Sequence, residues 1–558
     1  MKKLFEFLSV ALLLSCFSAG INATDFSFTK MKGLSQTVYT FRDTAQNVNG
    51  RFAGFAPLFV VYPDAPCDES QAAQLVRDLG IDQYVSDYSG SMMVVNPLGQ
   101  TYNDVADLAA YDSLVAHLRV ISNMKIIGIG RGATFVNNAV SHHAEAIAGI
   151  VSINGKMTGK PAGMVAVPAY ICGKGADKIA AAYATADKAV KKSGEKNGVR
   201  LTNSNEELLS VVYNPNAPAS LKEAFNDAWD ATLSRNYRFN NYKHTWYEGA
   251  KGNEYGAYEL EPYLMLDRIG VKRNAVEKNL FGTGTLLWYE YFPKGTENAA
   301  KGSIPLVLLL HGNTNDPRTQ AETSGFIEEA ARENFVVAEL EWQGGRYTPM
   351  GIDGIEQVVY YLLKTYPQLD ASRVYTEGLS AGSFTSNTLG VRRSYIFAAI
   401  GGHSGGVFPS GVVFGADFPT LMNDALQKRG FVDMPYLSIC GTDDHVVMFP
   451  KDGKWKNNSL LCALQIYQTM NGIDVVDGLD FSKDATFGVR LENREVIHTN
   501  KGIDIESGTL SKDGVPLIKL MAVDHYGHWN FKPAAHYMYE YFKHFSRNPQ
   551  TKKLIYHP

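Results

Sequence analysis

Residues 373–382 read Arg-Val-Tyr-Thr-Glu-Gly-Leu-Ser-Ala-Gly, and this stretch decides the fold. Its first four residues predict a β-strand, and the residues that follow it, 383–389, suit a helix. Between them Ser380 lies in the pattern G-x-S-x-G, whose glycines allow a sharp strand-to-helix turn that holds the serine oxygen clear of the backbone. The stretch therefore predicts a layered α/β fold with a serine exposed at the carboxyl end of a strand.

A second match to the same pattern, residues 402–406 around Ser404, is interpreted differently. Ser404 leads into Val-Phe-Pro-Ser-Gly, which cannot begin a helix of any length. Ser380 is therefore the candidate nucleophile, and Ser404 is predicted to be a loop residue.

The surrounding sequence alternates apolar, β-branched runs with segments of helical periodicity, which is typical of a mainly parallel sheet flanked by helices. The predicted strands are 306–310, 335–341, 373–376, 397–400 and 436–440, and the predicted helices are 319–333, 352–365 and 383–389. A glycine or an acidic residue follows most of these strands closely. We therefore expect a site in the loops at the carboxyl edge of the sheet.

A serine nucleophile needs a base to accept its proton and an acid to orient that base, and in this fold both come later in the chain. Asp443 and Asp444 follow the strand at 436–440, and we favour Asp444 as the acid, with Asp443 as the alternative. Near the C-terminus, His528 follows a glycine and is the predicted base. The predicted catalytic residues are thus Ser380, Asp444 and His528.

The segment 310–313, Leu-His-Gly-Asn, ends a predicted strand upstream of the serine. In folds with this turn, such a strand end carries one half of an oxyanion hole. The N–H of Ala381, together with that of Asn313 or of Thr314, would then donate to the developing oxyanion. His311 itself is interpreted as structural.

Three aromatic residues lie close to the predicted site in sequence. Trp342 and Tyr347 belong to a loop after a strand, and Trp529 is adjacent to the predicted base. Aromatic side chains in such places line substrate clefts or simply pack under loops. They are the candidate substrate-binding residues, with packing as the open alternative.

Several of these segments together carry a family resemblance. The segments are 306–314 (LVLLLHGNT), 370–375 (DASRVY), 378–382 (GLSAG), 397–400 (FAAI) and 403–405 (HSG). They resemble the polyhydroxybutyrate depolymerase and feruloyl esterase group of α/β-hydrolases, over roughly residues 280–545. The resemblance implies a secreted serine esterase whose triad is Ser380, Asp444 and His528. Departures from the family pattern at 383–385 and 527–529 leave the substrate open.

The first half of the chain looks like a damaged copy of the second. Residues 58–63 (LFVVYP) resemble the strand that ends at His311, and 125–132 (KIIGIGRG) resemble the serine turn, with Gly130 in place of Ser380. Tyr62 is aligned with His311, since 68 positions separate Tyr62 from Gly130 and 69 separate His311 from Ser380. Downstream, 171–173 (ICG) repeats 439–441 and sets Ala176 opposite Asp444, and 244–246 (HTW) resembles a relic of the histidine loop. Without a nucleophile and an acid, no acyl-enzyme can form in this half.

We therefore predict two tandem α/β-hydrolase-like lobes, each a mainly parallel sheet flanked by helices, of which the N-terminal one is catalytically degenerate. The predicted boundaries are 24–275 and 276–558. A competing interpretation takes Gly128-x-Gly130-x-x-Ala133 as a dinucleotide-binding fingerprint. That fingerprint needs an acidic residue at the end of the next strand, where this chain has Ser152 to Gly155.

The first 23 residues are typical of an export signal, with two lysines, an apolar run and small residues before the predicted cleavage site. A lipid anchor on Cys16 is the alternative, since residues 13–16 resemble a lipoprotein box; we favour the soluble form. No later stretch reaches the approximately 18 apolar residues that a membrane span needs. The sequence therefore predicts a periplasmic or extracellular protein.

Composition excludes several classes of protein. The 558 residues have a net charge of −4, which leaves no basic excess for binding nucleic acid, and the one basic cluster at 191–200 is predicted to be a solvated loop. There is no C-x-x-C, H-E-x-x-H or P-loop motif, so neither a metal nor another cofactor is predicted. The four cysteines after residue 23 are too few for a disulfide scaffold, and Cys172 and Cys440, which each end an apolar run, are expected to be buried free thiols.

Together these features predict a carboxylic ester hydrolase that works through an acyl-enzyme. Its expected substrates are small or polymer-linked esters of the acetyl, feruloyl or polyhydroxyalkanoate type. A serine peptidase of the same fold is one alternative. The other is a non-catalytic protein that binds a glycan or a polyester.

Overall fold

The computed structural model describes most of the chain, as two compact units. The described residues are 28–42, 57–87, 90–118, 123–196, 198–216, 218–239, 259–280, 282, 284–345, 347–411, 414–428, 432–444, 459–499 and 502–558. Of these, the residues up to Tyr263 belong to the first unit and those from Leu264 onward to the second. The predicted export signal with Cys16, and the histidine-loop relic at 244–246, lie outside the described residues.

The first unit is built on a ten-stranded sheet with a parallel centre. Its strands are β1 (Thr29–Lys30), β2 (Val38–Arg42), β3 (Leu58–Tyr62), β4 (Ser91–Val95), β5 (Met124–Ile129), β6 (Ile147–Ile153), β7 (Ala169–Cys172), β8 (Lys191–Glu195), β9 (Gly198–Thr202) and β10 (Ser210–Asn214). The helices described in this unit are α1 (Glu69–Leu79), α2 (Ile81–Asp87), α3 (Ala106–His117), α4 (Arg131–Asn138), α5 (Ala176–Ala186) and α6 (Leu221–Ala231). A small antiparallel ribbon pairs β11 (Asn236–Phe239) with β12 (Glu259–Pro262).

The second unit contains another ten-stranded sheet. Its strands are β13 (Val271–Asn279), β14 (Thr285–Pro293), β15 (Ile304–Leu310), β16 (Val336–Leu340), β17 (Leu369–Gly378), β18 (Ala399–His403), β19 (Tyr436–Gly441), β20 (Glu492–His498), β21 (Asp504–Lys512) and β22 (Val515–Val523). The helices described here are α7 (Leu266–Ile269), α8 (Pro317–Ser324), α9 (Phe326–Glu333), α10 (Gly351–Thr365), α11 (Ala381–Arg392), α12 (Phe418–Lys428), α13 (Ser459–Asn471) and α14 (Ala534–Phe542). A terminal ribbon pairs β23 (Phe545–Arg547) with β24 (Leu554–Tyr556).

The two large sheets have the same topology. The strand order is β1-β2-β4-β3-β5-β6-β7-β10-β9-β8 in the first and β13-β14-β16-β15-β17-β18-β19-β22-β21-β20 in the second. In both, two antiparallel strands precede the parallel centre and an antiparallel hairpin extends its far edge. The shared strand order confirms the predicted fold class of two tandem α/β-hydrolase-like lobes.

Strand pairing corrects the alignment of the two halves by one residue at two places. Tyr62 pairs with Gly128 as Leu310 pairs with Gly378, so Tyr62 corresponds to Leu310 rather than to His311. By the same reasoning Cys172 corresponds to Ile439 rather than to Cys440, because each pairs with the last residue of the preceding strand, Ile153 or His403. Apolar residues repeat along such strands, so sequence similarity alone does not fix the register.

Two predicted elements differ in the structure. The predicted helix 319–333 is two helices, α8 and α9, divided at Gly325. Gly325 has a φ of 80°, and a Cβ there would collide with the carbonyl oxygen of Lys532, so the close approach of another segment enforces the break. The cluster at 191–200 is not a loop but part of the β8–β9 hairpin. Within this hairpin the guanidinium of Arg200 forms an ion pair with the carboxylate of Glu195.

Each unit has its own apolar core on its sheet. Strand β15 is buried along its whole length, as expected for a parallel strand covered on both faces. The four cysteines Cys67, Cys172, Cys440 and Cys462 are free, and Cys172 and Cys440 are buried free thiols, as predicted. None of the helices in the described part of the chain has the length and apolar character to cross a bilayer.

Candidate active site

Ser380 lies at the turn between β17 and α11. It has φ 51° and ψ −114°, a combination that lies outside the left-handed helical region open to non-glycine residues and is therefore locally strained. The flanking glycines make the turn possible: a Cβ on Gly378 would collide with the backbone of Gly382, and one on Gly382 would collide with the carbonyl oxygen of Leu310. The G-x-S-x-G stretch thus forms the strained turn that the sequence predicts, with the serine side chain partly exposed.

The structure brings the three predicted catalytic side chains together. The Nε2 atom of His528 lies 2.8 Å from Ser380 Oγ, and its Nδ1 atom lies 2.9 and 3.0 Å from the two carboxylate oxygens of Asp444. Asp444 and His528 are buried, with relative exposures of 1% and 6%. An imidazole held in this way presents Nε2 to the hydroxyl as a proton acceptor.

Asp443, the alternative acid, is directed elsewhere. Its backbone N–H donates to the carbonyl oxygen of Tyr526, and its carboxylate lies 3.5 Å from the imidazole of the exposed His525. The geometry therefore favours Asp444 as the residue that orients His528.

A second histidine, His403, connects the serine turn with the histidine loop. Its carbonyl oxygen accepts the N–H of Ser380 at 2.8 Å, and its Nε2 atom accepts the N–H of Phe531 at 3.1 Å. The ring proton therefore lies on Nδ1, which is 3.2 Å from Ser404 Oγ. Burial lowers the pKa of His403 to about 3, so the ring is neutral at physiological pH. Nothing in the local sequence indicates this role.

The histidine loop is also anchored by Asn530. Its Nδ2 atom donates to Gln320 Oε1 and to Thr323 Oγ1, both at 2.9 Å, and its carbonyl oxygen accepts the hydroxyl of Tyr526 at 2.8 Å. Buried side chains with satisfied hydrogen bonds of this kind rigidify their surroundings. They hold the backbone on both sides of His528.

Below this network lie buried carboxyl groups that belong to none of the predicted sites. Gln320 also donates to Glu377 Oε2 at 3.2 Å, and burial raises the pKa of Glu377 from its ordinary value of 4.5 to about 8. Burial and the nearby Glu377 raise the pKa of Glu339 as well. The sequence signal was the position of these two acids: Glu339 lies within the mostly apolar run 335–341, and Glu377 directly follows the predicted strand 373–376.

The two predicted oxyanion-hole segments lie at the ends of neighbouring strands, β15 and β17. Ala381 is the first residue of α11, where backbone N–H groups have no partner within the helix. On the other segment the N–H of Thr314 already donates to Gln343 Oε1 at 3.0 Å, and Gln343 Nε2 donates to Asn313 Oδ1 at 3.3 Å. Of the two alternatives, Asn313 is the one that we retain as a donor.

The three aromatic candidates are placed differently. Trp342 is only 9% exposed, and its indole N–H donates to the carbonyl oxygen of His311 at 3.0 Å, which is a packing role rather than a substrate contact. The hydroxyl of Tyr347 donates to Glu277 on β13 at 2.5 Å. Trp529 is partly exposed beside His528, which leaves it the best-placed of the three to contact a substrate.

One group of side chains has the composition of a metal site. Glu329, His536 and Glu540 lie within ligand distance of one another. The guanidinium of Arg332 contacts both Glu329 and His536, so a cationic group already occupies this place. We assign no metal to it.

The parallel sheet, the serine turn after β17 and the loops at its carboxyl edge define an α/β-hydrolase. Residues 356–451 match the model of the family described as esterase PHB depolymerase, a stretch that includes Ser380 and Asp444. The match confirms the predicted resemblance to this esterase group. It also confirms the predicted class of enzyme, a carboxylic ester hydrolase.

Several esterases are among the solved structures to which the chain is similar. An acetyl xylan esterase from Aspergillus awamori is 14% identical, covering 49% of this chain and 99% of its own, with a TM-score of 0.34. The feruloyl esterase module from Clostridium thermocellum is 14% identical, covering 49% and 87%, with a TM-score of 0.32. An S-formylglutathione hydrolase from Agrobacterium tumefaciens is 12% identical, covering 49% and 96%, with a TM-score of 0.33. No curated protein sequence matches the chain.

Proposed function

We propose that the protein is an exported serine esterase whose second unit hydrolyses carboxylic esters through an acyl-enzyme. The observation that carries the proposal is the continuous chain of contacts from Ser380 Oγ through the imidazole of His528 to the carboxylate of Asp444. Such a chain supplies a nucleophile, a base and an orienting acid at one place.

In the acylation half-reaction, His528 Nε2 accepts the proton of Ser380 Oγ while that oxygen forms a bond to the carbonyl carbon of the ester. The carbonyl oxygen becomes an oxyanion, to which the N–H groups of Ala381 and Asn313 donate. His528 then returns the proton to the alkoxy oxygen as the carbon–oxygen bond breaks, and the alcohol leaves. Asp444 stabilises the imidazolium during this exchange.

Deacylation repeats the same steps with water as the nucleophile. His528 Nε2 accepts a proton from water, the water oxygen bonds to the acyl carbon, and a second oxyanion forms in the same hole. Collapse of this intermediate breaks the bond to Ser380 Oγ, which recovers its proton from His528. The products are one carboxylic acid and one alcohol, and the enzyme returns to its starting state.

We propose small or polymer-linked esters of the acetyl, feruloyl or polyhydroxyalkanoate type as substrates. Trp529 is our candidate for contact with the acyl or alcohol group, because it is partly exposed and adjacent in sequence to the base. Residues 1–23 are proposed to direct export, which places such esters outside the cytoplasm.

Hydrolysis of p-nitrophenyl acetate by the purified chain tests the proposed reaction. Ser380→Ala should lower kcat by at least about 10⁴-fold, since loss of a triad serine removes the covalent route. Ser372→Ala is a matched control, because Ser372 lies near the start of the same strand, β17. Full activity in a folded Ser380→Ala variant would refute the proposal.

A side-by-side panel distinguishes the remaining possibilities. Ethyl acetate, ethyl ferulate and a 3-hydroxybutyrate oligomer report on the acyl group, and a peptide p-nitroanilide reports on amide cleavage. We expect turnover of at least one ester to exceed turnover of the anilide. The reverse order would identify a peptidase of the same fold.

A further inference from the structure

The first unit contains a cavity of about 380 Å³ at the carboxyl edge of its sheet. Its lining includes Asp64 after β3, Tyr102 and Asp104 after β4, Gly130 after β5 and Asn154 after β6. The volume falls within the range of about 300 to 1,000 Å³ that is common for small-molecule sites. The cavity occupies the position at which an α/β-hydrolase carries its active site.

The turn at Gly130 has the backbone conformation of the nucleophile turn at Ser380, but it has no nucleophilic side chain. Gly130 has φ 56° and ψ −114°, and its N–H donates to the carbonyl oxygen of Ile153 at 2.9 Å. Ser380 has nearly the same angles and donates in the same way to the last residue of the neighbouring strand, His403. The geometry of the turn is preserved although its chemistry is lost.

The carboxylate of Asp64 lies beside the turn and accepts the backbone N–H that would donate to an oxyanion in an active lobe. Asp64 Oδ1 accepts the N–H of Arg131, the residue that corresponds to Ala381, at 2.8 Å. A Cβ on Gly130 would collide with the same oxygen. An acyl oxyanion brought to this N–H would therefore meet a negative charge, so the cavity cannot perform ester hydrolysis.

The lining of the cavity can both donate and accept hydrogen bonds, with no excess of either charge. Asp64 and Asp104 contribute carboxylates, whereas Arg131 and Lys156 contribute cationic groups. The Arg131 guanidinium lies 3.5 Å from Asp64, so one pair is already largely neutralised. Two carboxylates and two cationic groups together favour neither a strongly anionic nor a strongly cationic ligand. A neutral ligand rich in hydroxyl groups can donate hydrogen bonds to the carboxylates and accept them from the cationic groups.

An aromatic group completes this wall. The ring of Tyr102 is stacked on Phe135, with centroids 5.0 Å apart and planes 10° from parallel, and its hydroxyl donates to the carbonyl oxygen of Pro63 at 3.0 Å. Phe135 is buried while Tyr102 stays partly exposed. A fixed, partly exposed aromatic ring beside polar groups offers an apolar contact to the C–H face of a sugar ring.

We propose that this cavity binds a neutral carbohydrate chain, and that the first unit is a glycan-binding module derived from a hydrolase lobe. The residues that carry recognition are Asp64, Tyr102, Asp104, Arg131 and Lys156. The proposal goes beyond the esterase function and does not depend on it, because the cavity contains none of the proposed catalytic residues.

Calorimetric titration of the full chain tests the proposal, with xylohexaose, cellohexaose and maltohexaose as neutral probes. At least one of the three should bind saturably. Asp104→Ala and Arg131→Ala should each weaken this binding by at least fivefold, and because both residues are exposed we expect both variants to fold. Asp78→Ala on α1 is the control, an exposed acidic residue of the same unit outside the cavity, and should leave binding unchanged.

Two further measurements separate this proposal from the esterase proposal. Turnover of p-nitrophenyl acetate should be the same in Asp104→Ala, Arg131→Ala and the unchanged protein, whereas Ser380→Ala should lose turnover and retain sugar binding. The glycan proposal is overturned if none of the three sugars binds, or if their binding is unaffected by both cavity variants. Binding of a 3-hydroxybutyrate oligomer or of polygalacturonate in preference to the neutral sugars also overturns it.

Discussion

Gly130 and Ser380 share one backbone conformation, with φ 56° and ψ −114° at the glycine and φ 51° and ψ −114° at the serine. The two sheets around them share one strand order. The chain therefore holds two copies of the same turn, one with the hydroxymethyl side chain of serine and one with the hydrogen atom of glycine in its place. Substitutions at the first copy can show what it has lost.

Gly130→Ala should destabilise the first unit by about 2 to 4 kcal/mol, since it adds a positive-φ strain of about 1 to 3 kcal/mol to a collision with Asp64 Oδ1. Gly175→Ala is the matched control, because Gly175 also has a positive φ, 82°, but its added Cβ would meet no atom within 4 Å. Thermal unfolding of the two variants measures the difference. Asp64→Ala introduced together with Gly130→Ala should recover part of the loss, and an absence of any recovery would contradict the collision.

The two neighbouring aspartates should differ sharply in their effect on catalysis. Asp444→Asn removes the charge that faces His528 Nδ1 and favours the wrong tautomer, so kcat for p-nitrophenyl acetate should fall by about 10⁴-fold. Asp443→Asn should change kcat by less than about threefold, since that carboxylate faces His525. Equal losses in both variants, or a larger loss in Asp443→Asn, would reverse the assignment of the acid.

His403 should make the protein sensitive to acid. Its pKa in the folded chain is about 3, against an ordinary value of 6.5, so below pH 6.5 the unfolded chain takes up a proton that the folded chain does not. The stability contribution of the neutral ring is complete above pH 6.5 and declines by about 1.4 kcal/mol for each pH unit down toward pH 3. Replacement by phenylalanine removes this decline.

His403→Phe also leaves the N–H of Phe531 without its acceptor, which should cost about 1 to 3 kcal/mol at pH 7.5. Unfolding by urea at pH 7.5 and pH 5 measures both effects. We expect the unchanged protein to be the more stable at pH 7.5 and its advantage to shrink at pH 5. An advantage that is constant between the two pH values would contradict the buried neutral state of His403.

Glu377 should have the opposite dependence on pH. Its folded pKa of about 8 exceeds its ordinary value of 4.5, so between these values the unfolded chain releases a proton that the folded chain retains. Its contribution to stability is complete below pH 4.5 and is lost as the pH rises to 8. The melting temperature of Glu377→Gln relative to that of the unchanged protein should therefore rise from pH 5 to pH 8. A parallel pH dependence of the two melting temperatures would contradict the raised pKa of Glu377.

The sequence predicts the parallel centre of the second sheet well, because strands such as β15 are apolar and buried along their whole length. It does not reveal the hairpins at the far edges of the two sheets. The side chains of β20 are almost all exposed, and β8 is similar, so neither strand shows the alternation that marks a half-buried strand. The division of the helix at Gly325 was missed because the helical pattern continues across it and the cause, Lys532, is distant in sequence.

The candidate catalytic residues could be found from sequence because Ser380 and Asp444 belong to short patterns after predicted strands, and His528 follows a glycine near the C-terminus, where this fold carries its base. Residues that support them were not found. The carbonyl oxygen of His403 accepts the N–H of Ser380, and its Nε2 atom accepts the N–H of Phe531. Asn530 donates to Gln320 and Thr323. These contacts depend on segments that only the folded chain brings together, so no local motif records them.

Covalent trapping tests most directly whether Ser380 is the nucleophile. The full chain would be treated with an activated fluorophosphonate, digested and examined by mass spectrometry, while turnover of p-nitrophenyl acetate is followed in parallel. We expect one phosphonyl group per chain on the peptide that contains Ser380, with activity lost in proportion to labelling, and no adduct in Ser380→Ala. An unlabelled Ser380 in a protein that still hydrolyses the ester would contradict the serine mechanism.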